Sequence, residues 1–488
     1  MKPSTSALRS ALLPLLAALV LAGCATAPAS DAPPLTQPPA RFKESQERWT
    51  IAAPAEAQDR GSWWKAFADP VLDGLVERAS LNNTGIHEAA ARLAQARALV
   101  RNADADRSVQ VAVGAGATRQ AGAGTVNGAT PATLTSAGAN LSYEVDLFGR
   151  LARASDAAAL DAQAREALLQ STRLLVQAEV GQTYLALRAL DTERDLVRET
   201  VAAYRNTLQL TQRRYQAGDI AELDVARVQT ELASTESEAL ALDRRRAELE
   251  HAPAVLVGDA AASFSLGVAD WTTALPVIPP GIPGTVLARR PDVSAAQSAM
   301  LAAQARVGVA RAAWFPSISL TAAGGFASPE LGDLFKWSAR AWSVSALLSL
   351  PLFDGGRREA GVQGAQAQLD AALASYRGQL LVAFREVEDQ LSSLRLLQEQ
   401  AEAQDRAVGS ASRATVLSDS RWRNGLVSQL ELLDARRSEL RNRRQALQVR
   451  ATQYQATVGL IRALGGGWDA VKKTGDTPER QERQLAAS

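Results

Sequence analysis

The apolar residues recur every three or four positions over long stretches of the chain, and this spacing predicts helices. No proline occurs between Pro351 and Pro478, so nothing in that interval forces a helix to end. A helix of about 65 residues is roughly 100 Å long at 1.5 Å per residue and needs partners along its length. The clearest apolar stripe consists of Leu369, Leu373, Tyr376, Leu380, Phe384, Val387 and Leu391.

The long helical segment occurs twice, which indicates a duplicated domain. The segment Tyr215–Val225 aligns with Trp422–Leu432, with the aromatic residue, the glycine, the leucine and the acid in the same places. The residues before the two long helices also match, Val145–Arg150 against Leu350–Arg357. The repeat period is a little over 200 residues, and each turn glycine stands where a helix must stop and reverse.

Alternating apolar and small or polar residues before each long helix predict pairs of β-strands. In the segment 140–148 the residues Leu141, Tyr143, Val145 and Leu147 fall on one face. Such segments of about 10 residues are typical of a transmembrane β-barrel, although a soluble sheet covered by helices has the same pattern. Four strands cannot close a barrel, and a sheet in a membrane cannot keep open edges, so several subunits are expected to contribute strands.

The N-terminus has the pattern of a secretory signal. Lys2 and Arg9 precede an apolar run that ends at Ala22, too short to span a bilayer as a helix. Leu21–Cys24 resembles the bacterial lipobox, in which the cysteine is acylated and the preceding segment is removed. Ala25 is not an aspartate, and by the same resemblance this implies sorting to the outer membrane. A buried cysteine in a plain secretory signal is the alternative.

Composition excludes several classes of function. The 53 basic and 52 acidic residues nearly cancel, so no nucleic-acid partner is expected. Two histidines and one cysteine are too few for a structural zinc site or a disulfide. His87 and His251 lie far apart in helical surroundings, and no catalytic or metal-ligand spacing is visible, so we expect neither an enzyme nor a cofactor other than the lipid on Cys24.

Motifs along nearly the whole mature chain resemble the outer membrane factors, the TolC-like efflux ducts, and in particular their OprM/NodT-type lipoprotein branch. The resemblance implies a mainly α-helical fold with a transmembrane β part, in which a homotrimer forms one 12-stranded β-barrel that continues into an α-helical periplasmic tunnel. It also implies a periplasmic membrane-fusion adaptor and an inner-membrane resistance-nodulation-division pump as partners, besides outer-membrane lipid. The motifs are Leu21–Cys24, Trp63–Trp64, Leu287–Asp292, Ala313–Ser317, Leu350–Arg357, Leu432–Arg436 and Ala463–Trp468. The first repeat has Asp106–Val109 where the second has Trp314–Ser317, which leaves the start of its first strand open.

These patterns predict the following organisation. The segments are a signal peptide (1–23), a lipidated tether (24–60), a first repeat (61–258), a linker (259–283), a second repeat (284–465) and a polar tail (466–488). The first repeat is predicted to contain helices at 72–106, 150–216 and 219–257 and strands at about 108–120 and 138–148. The second is predicted to contain helices at 284–313, 355–423 and 427–464 and strands at about 316–327 and 341–351.

The functional residues of a duct are those that close and open it. Leu430, Glu431, Asp434 and Arg437 fall on one side of the helix after the second turn. The resemblance implies that Leu430, Asp434 and Arg437 form the tightest constriction, that Glu431 adds an acidic position, and that Asp224 takes part from the first repeat. We expect trimeric acidic rings, with Arg437 paired to an acid of a neighbouring subunit. The alternative is a solvated helix face.

The turns themselves are expected to receive the adaptor. By resemblance, the segments 215–220 and 422–427 face the inner membrane and dock helical hairpins of the adaptor. The predicted contact residues are Gly218, Asp219, Trp422, Asn424 and Gly425. The rival to an efflux duct is a non-conducting, lipid-anchored spacer that bridges the periplasm. That rival explains the helices and the lipid but not the strands.

Overall fold

A computed structural model describes residues 42–44, 61–121, 131–278 and 289–466. It divides into two compact units, one formed by Arg92–Arg165 and Ala296–Arg377, the other by the described parts of Pro38–Ala91, Glu166–Ala295 and Gly378–Ser488. The helices are α1 (Pro70–Asn82), α2 (Thr84–Ala105), α3 (Arg150–Gln216), α4 (Glu222–Leu256), α5 (Pro291–Ala312), α6 (Arg357–Arg423) and α7 (Gln429–Ala463). The strands are β1 (Gln110–Gln120), β2 (Ala132–Val145), β3 (Ser317–Ser328) and β4 (Arg340–Ser349). Cys24, the predicted lipidation site, lies outside the described residues.

The two repeats have the same helical dimensions. Helices α3 and α6 both contain 67 residues, and their first residues, Arg150 and Arg357, are 207 positions apart. Helices α4 and α7 both contain 35 residues and start at Glu222 and Gln429, again 207 positions apart. The helical hairpin is therefore duplicated without insertion or deletion. Among the described helices, none is both long and apolar enough to cross a membrane.

The four strands form one antiparallel sheet in the order β1–β2–β3–β4. At the centre, Gly138 of β2 pairs with Gly325 of β3. A Cβ atom on Gly325 would lie 2.3 Å from the Ala137 carbonyl oxygen, so only glycine permits this approach of the two strands. On β4 the apolar side chains Trp342, Val344 and Leu348 are all more than half exposed. The sheet thus presents a contiguous apolar surface that this chain alone does not cover.

The motif before each long helix is a capping motif. Asp146 accepts hydrogen bonds from the backbone N–H groups of Leu151 and Ala152, at 3.2 and 2.7 Å. Asp354 does the same for Gly356 and Arg358, each at 3.1 Å. Both carboxylates satisfy amide groups that the first turn of a helix leaves free. The matching motifs therefore fix where α3 and α6 begin.

The predicted first helix, 72–106, is wrong as a single element. It is two helices, α1 and α2, because Asn83 between them has an extended backbone. The Asn83 side chain accepts hydrogen bonds from Gly85 N and Ile86 N and donates one to the Leu256 carbonyl at 2.9 Å. An asparagine that caps the next helix in this way competes with continued helix.

Other boundaries also differ from the prediction. Strand β2 starts at Ala132 and ends at Val145, because residues 146–149 form the capping turn. The described part of the predicted helix 284–313 is α5, which starts at Pro291 because the residue before a proline is disfavoured in helical conformation, and residues 284–288 lie outside the described residues. Helix α4 starts at Glu222 instead of residue 219, because the preceding residues form the turn. The remaining predicted ends differ from the structure by at most two residues.

A buried carboxylate ties the first hairpin together. Asp191 of α3 is 1% exposed and accepts hydrogen bonds from Arg188 and Arg194 of α3 and Arg246 of α4. Arg246 and Arg188 also donate to the carbonyls of Leu266 and Gly267, so the segment after α4 is held by the same cluster. A buried charge is stable only when it is paired in this way.

Arg290 forms a second buried cluster at the end of α7. Its guanidinium donates to the Ala463 carbonyl at 3.0 Å and pairs with Asp292 at 2.6 Å and with Glu386 at 2.8 Å. Burial alone would raise the pKa of the Asp292 carboxyl, but the Arg290 guanidinium outweighs it and holds that pKa below its usual range. Arg290 therefore joins the end of the second hairpin to the start of α5.

We predict that Arg290→Ala lowers the stability of the protein by about 3 kcal/mol, because it leaves two partly buried carboxylates without their cation. Thermal unfolding followed by circular dichroism in detergent measures the effect. Since the folded pKa of Asp292 is depressed, its contribution is present above the unfolded pKa and is lost as pH falls through the folded one. Arg462→Ala is the control, because Arg462 lies 3.7 Å from Glu386 and is 39% exposed. If Arg290→Ala and Arg462→Ala lowered the stability equally, the role of Arg290 as the central cation of this cluster would be contradicted.

Candidate functional site

The two helix-to-helix turns have the same backbone geometry. Asp219 N donates to the Arg214 carbonyl at 2.9 Å, and Leu426 N donates to the Arg421 carbonyl at 2.9 Å. Gly218 and Gly425 have φ of +80° and +72°, the left-handed conformation that closes a helix with this hydrogen-bond pattern. A Cβ atom on either glycine would meet nothing within 4 Å. The glycines are therefore required by conformation, and the space around them is open.

The two turns differ in their aromatic residue. Trp422 is 4% exposed, and the Arg214 guanidinium of the other hairpin lies 5.9 Å from its ring centre. Tyr215, the equivalent residue of the first repeat, is 44% exposed. Trp422 is therefore a packing residue and offers little surface, contrary to its prediction as an adaptor contact. The predicted contacts Asp219 and Asn424 are exposed.

The start of α7 carries the predicted gate residues. The Ser428 hydroxyl caps the helix by accepting a hydrogen bond from Glu431 N at 3.4 Å. Leu430 is 42% exposed, and Glu431 and Asp434 are exposed on the same side. Within the described part of the chain, no hydrogen bond or ion pair occupies the Glu431 carboxylate. This end of α7 therefore presents one leucine and two carboxylates to its surroundings.

Arg437 joins α7 to the first hairpin. Its guanidinium makes a bidentate pair with Glu231 of α4, in which Nε donates to Oε2 at 2.8 Å and Nη2 contacts Oε1. Nη1 also donates to Asp434 at 3.3 Å. The hydrogen bond to Glu231 raises the pKa of Arg437 above its usual value, so the guanidinium stays charged at any physiological pH. Within this chain the partner of Arg437 is Glu231, and the expected pairing of Arg437 with an acid of a neighbouring subunit stays a prediction.

Glu231, the partner of Arg437, is the residue of this site that the sequence did not reveal. It follows Asp224 by seven positions, which places both acids on one side of α4. That spacing is the only signal in the sequence, and it is shared by many solvated helix faces. Asp224 itself pairs with Arg227 one turn along α4, at 3.7 Å. The structure therefore does not bring Asp224 to Arg437.

Arg436 makes a second connection between the hairpins. It donates to the Ala203 carbonyl of α3 at 3.3 Å and contacts the Thr207 hydroxyl. Its other amino group pairs with Asp419 of α6 at 3.0 Å. The adjacent residues Arg436 and Arg437 thus reach α3, α4 and α6 from α7. All four helices of the two hairpins are linked at this level by charged hydrogen bonds.

An apolar cluster lies beside these charges. Tyr204 of α3, Val228 of α4 and Leu433 of α7 are at most 1% exposed, and Leu208 and Leu232 pack against them. Burial is the main cause that raises the pKa of the Tyr204 hydroxyl. The cluster holds the three helices at one level, and the Glu231–Arg437 pair lies at its edge. No group of acidic, histidine or cysteine side chains among the described residues has the arrangement of a metal site.

The start of α7 combines exposed carboxylates with a partly exposed ion pair. Carboxylates and a leucine project from one helix end, and the link to the other hairpin is an ion pair whose arginine is 44% exposed. Ion pairs with this exposure contribute about 1 kcal/mol or less.

Comparison with known proteins gives the same picture. The family described as outer membrane efflux protein matches residues 75–258 and 282–466. The chain is 34% identical over 467 residues to outer membrane protein OprJ of Pseudomonas aeruginosa, covering 93% of this chain and 95% of the relative. It is 30% identical over 460 residues to the probable outer membrane lipoprotein SilC of Salmonella typhimurium, covering 94% and 98%.

A solved structure of the outer-membrane channel OprN superposes with a TM-score of 0.83 at 32% identity, covering 90% of this chain and 98% of that one. The TolC-like fold expected from the motifs is thereby confirmed, and so are the location in the outer membrane and the role as an efflux channel. The two matched segments and the extent of these similarities show that the chain belongs to the outer membrane efflux protein family.

Proposed function

We propose that this protein is the exit duct of a tripartite efflux system and that its periplasmic end is closed by the ends of the helical hairpins. The observation that supports the gate is the Glu231–Arg437 pair, which joins the second hairpin to the first beside the exposed residues Leu430, Glu431 and Asp434. Small molecules pass from a periplasmic adaptor and an inner-membrane pump of the resistance-nodulation-division type. The chain performs no bond chemistry and needs no cofactor for transport.

The duct is a homotrimer. The apolar surface of the sheet, with Trp342 and Val344 about three-quarters exposed, needs lipid outside and further strands at its edges. Three copies of a four-stranded sheet supply twelve strands. The same symmetry turns Glu431 and Asp434 into acidic rings, which favour cations in a narrow pore. The trimer also sets the energy of the gate, since three pairs of about 1 kcal/mol each hold the closed state.

Opening separates the start of α7 from α4 and breaks the Arg437–Glu231 pair. The pair is partly open to solvent, so its loss is compensated by hydration and the transition stays reversible. The buried clusters around Asp191 and Arg290 lie elsewhere on the same helices and are much more costly to break. The hairpins therefore move at their ends while these clusters stay intact.

We predict that Arg437→Ala and Glu231→Gln each raise the single-channel conductance in a planar bilayer, by about 10-fold if about half of the energy of three pairs is transferred to the open state. The double variant is expected to conduct no more than either single one, because both remove the same contact. Arg205→Ala is the matched control. Arg205 pairs with Glu236 at 2.7 Å within the first hairpin, so its loss leaves the gate closed.

A conductance that stays at the wild-type level in both Arg437→Ala and Glu231→Gln would place the gate elsewhere on the duct. Membrane-inserted trimers of all variants that form no channels at all would favour the spacer over the duct. Ion selectivity is measured in the same recordings. Asp434→Asn is expected to lower the preference for cations, because it removes one acidic ring.

The adaptor docks on the exposed residues of the two turns, Gly218 and Asp219 in the first and Asn424 and Gly425 in the second. Their open surroundings admit another helical hairpin without repacking. Trp422 supports this surface from beneath, through its packing against Arg214.

We predict that Trp422→Ala speeds amide hydrogen exchange at residues 211–219 and 418–427, because a buried aromatic side chain is removed. Tyr215→Ala, at the equivalent and exposed position, is expected to leave exchange unchanged. Asp219→Lys is expected to weaken adaptor binding without changing exchange. If Tyr215→Ala speeded amide exchange as much as Trp422→Ala, the packing role of Trp422 would be contradicted.

Cys24 carries the lipid that anchors the chain to the outer membrane, which agrees with the naming of SilC as a lipoprotein. The acyl chains add membrane affinity of about 0.8 kcal/mol per buried CH₂ group. We predict that Cys24→Ser abolishes labelling by a palmitate analogue. Because the sheet provides a second, independent membrane contact, the variant is still expected to fractionate with the outer membrane. A variant that keeps the label would show that another residue is acylated.

A further inference from the structure

A cleft in the unit that contains the hairpin ends has no role in the gate. It has a volume of about 460 Å³ and lies between α3, α4 and α7. Alanines at facing positions, Ala186, Ala252 and Ala451, create the space, because helices that pack with larger side chains leave few voids. Leu190, Leu249 and Leu447 provide the rest of the apolar wall. This volume lies in the range of small-molecule sites.

The two ends of the cleft differ chemically. Gln182, Thr183, Thr452 and Gln455 line one end, where Gln455 donates to the Gln182 carbonyl at 2.8 Å and joins α7 to α3. Glu193, Arg245 and Arg444 line the other end. An apolar wall with polar groups at its ends is the arrangement that orients an amphipathic ligand.

The charges at the second end leave one cation available. Arg444 is neutralised by two carboxylates, Glu193 at 2.7 Å and Glu238. Arg245 is exposed and, within the described residues, has neither an ion pair nor a hydrogen bond. The neighbouring Arg244 is also exposed but pairs with Glu248 at 2.7 Å, so it offers no comparable free charge. Arg245 is therefore the group that an anion entering the cleft would meet.

We propose that this cleft binds amphipathic small molecules that have an apolar body and one anionic group, with the anion at Arg245 and the body against Leu190, Leu249 and Leu447. The proposal rests on the proposed function in one respect, namely that the natural ligand is a molecule in transit through the duct. We assign a small anion as the occupant instead of a second copy of the chain, because Arg245 is complementary in charge to an anionic group and the apolar space is of small-molecule size.

The test compares two aromatic probes that differ in charge. Isothermal titration calorimetry of the full-length trimer in detergent measures binding of 2-naphthalenesulfonate and of the uncharged 2-naphthalenesulfonamide. Wild type is expected to bind the sulfonate about five-fold more tightly, the size expected for a pairing with a partly exposed charge. Arg245→Gln is expected to remove this difference, whereas the matched control Arg244→Gln keeps it. Ala451→Phe, which fills the cleft, is expected to weaken binding of both probes.

The outcomes separate the possible occupants. Equal effects of Arg245→Gln and Arg244→Gln would overturn the proposal, because they would mean a general charge effect. If both probes bound to Ala451→Phe as tightly as to wild type, the proposal would also be overturned, since the probes would then bind outside the cleft. Absence of binding to wild type would overturn the proposal as well, and a loss of the trimer in Ala451→Phe would then mean that a second copy fills the cleft. None of these binding measurements depends on channel conductance. The proposed gate is tested separately, by the bilayer recordings.

Discussion

Arginines of one helix join the ends of the two helical hairpins. Arg436 and Arg437 of α7 reach α3, α4 and α6, and the apolar cluster around Tyr204 is small. Ion pairs and apolar contacts differ in how easily they are broken. Apolar packing is lost only at the cost of exposing its surface to water, whereas a partly exposed ion pair exchanges its partner for water at a cost of about 1 kcal/mol. Helix ends joined by ion pairs separate more readily than helix ends joined by a core.

Duplication accounts for the architecture, and divergence accounts for the contact between Arg437 and Glu231. The helices of the two repeats have equal lengths at a constant separation of 207 residues. At the positions of Asp434 and Arg437, the first repeat has Arg227 and Thr230. The first repeat therefore lacks the bridging arginine and instead supplies its acceptor, Glu231. The two hairpins therefore carry complementary charged groups at this level, which two identical hairpins would not.

The sequence predicted the elements that local physical chemistry controls. Helical periodicity and the turn glycines located the long helices, and the capping aspartates explain why the motifs before them match. The break at Asn83 was missed because a capping side chain inside an alanine-rich run changes the periodicity very little. The contact of Arg437 with Glu231 was missed because nothing in a linear sequence states which of many acids a long side chain reaches. The burial of Trp422 was missed for a similar reason, since Tyr215 occupies the same position of the first turn and is exposed.

The central claim is that the duct opens when α4 and α7 separate at Glu231 and Arg437. Cys24 is the only cysteine of the chain, so a Glu231→Cys, Arg437→Cys variant adds two thiols that a short reducible bifunctional reagent can join. Single-channel conductance is then recorded from the same cross-linked trimers before and after reduction. The account predicts a conductance near the closed level while the link is intact and a several-fold larger one after reduction. Cross-linked trimers that conduct as well as reduced ones would contradict it.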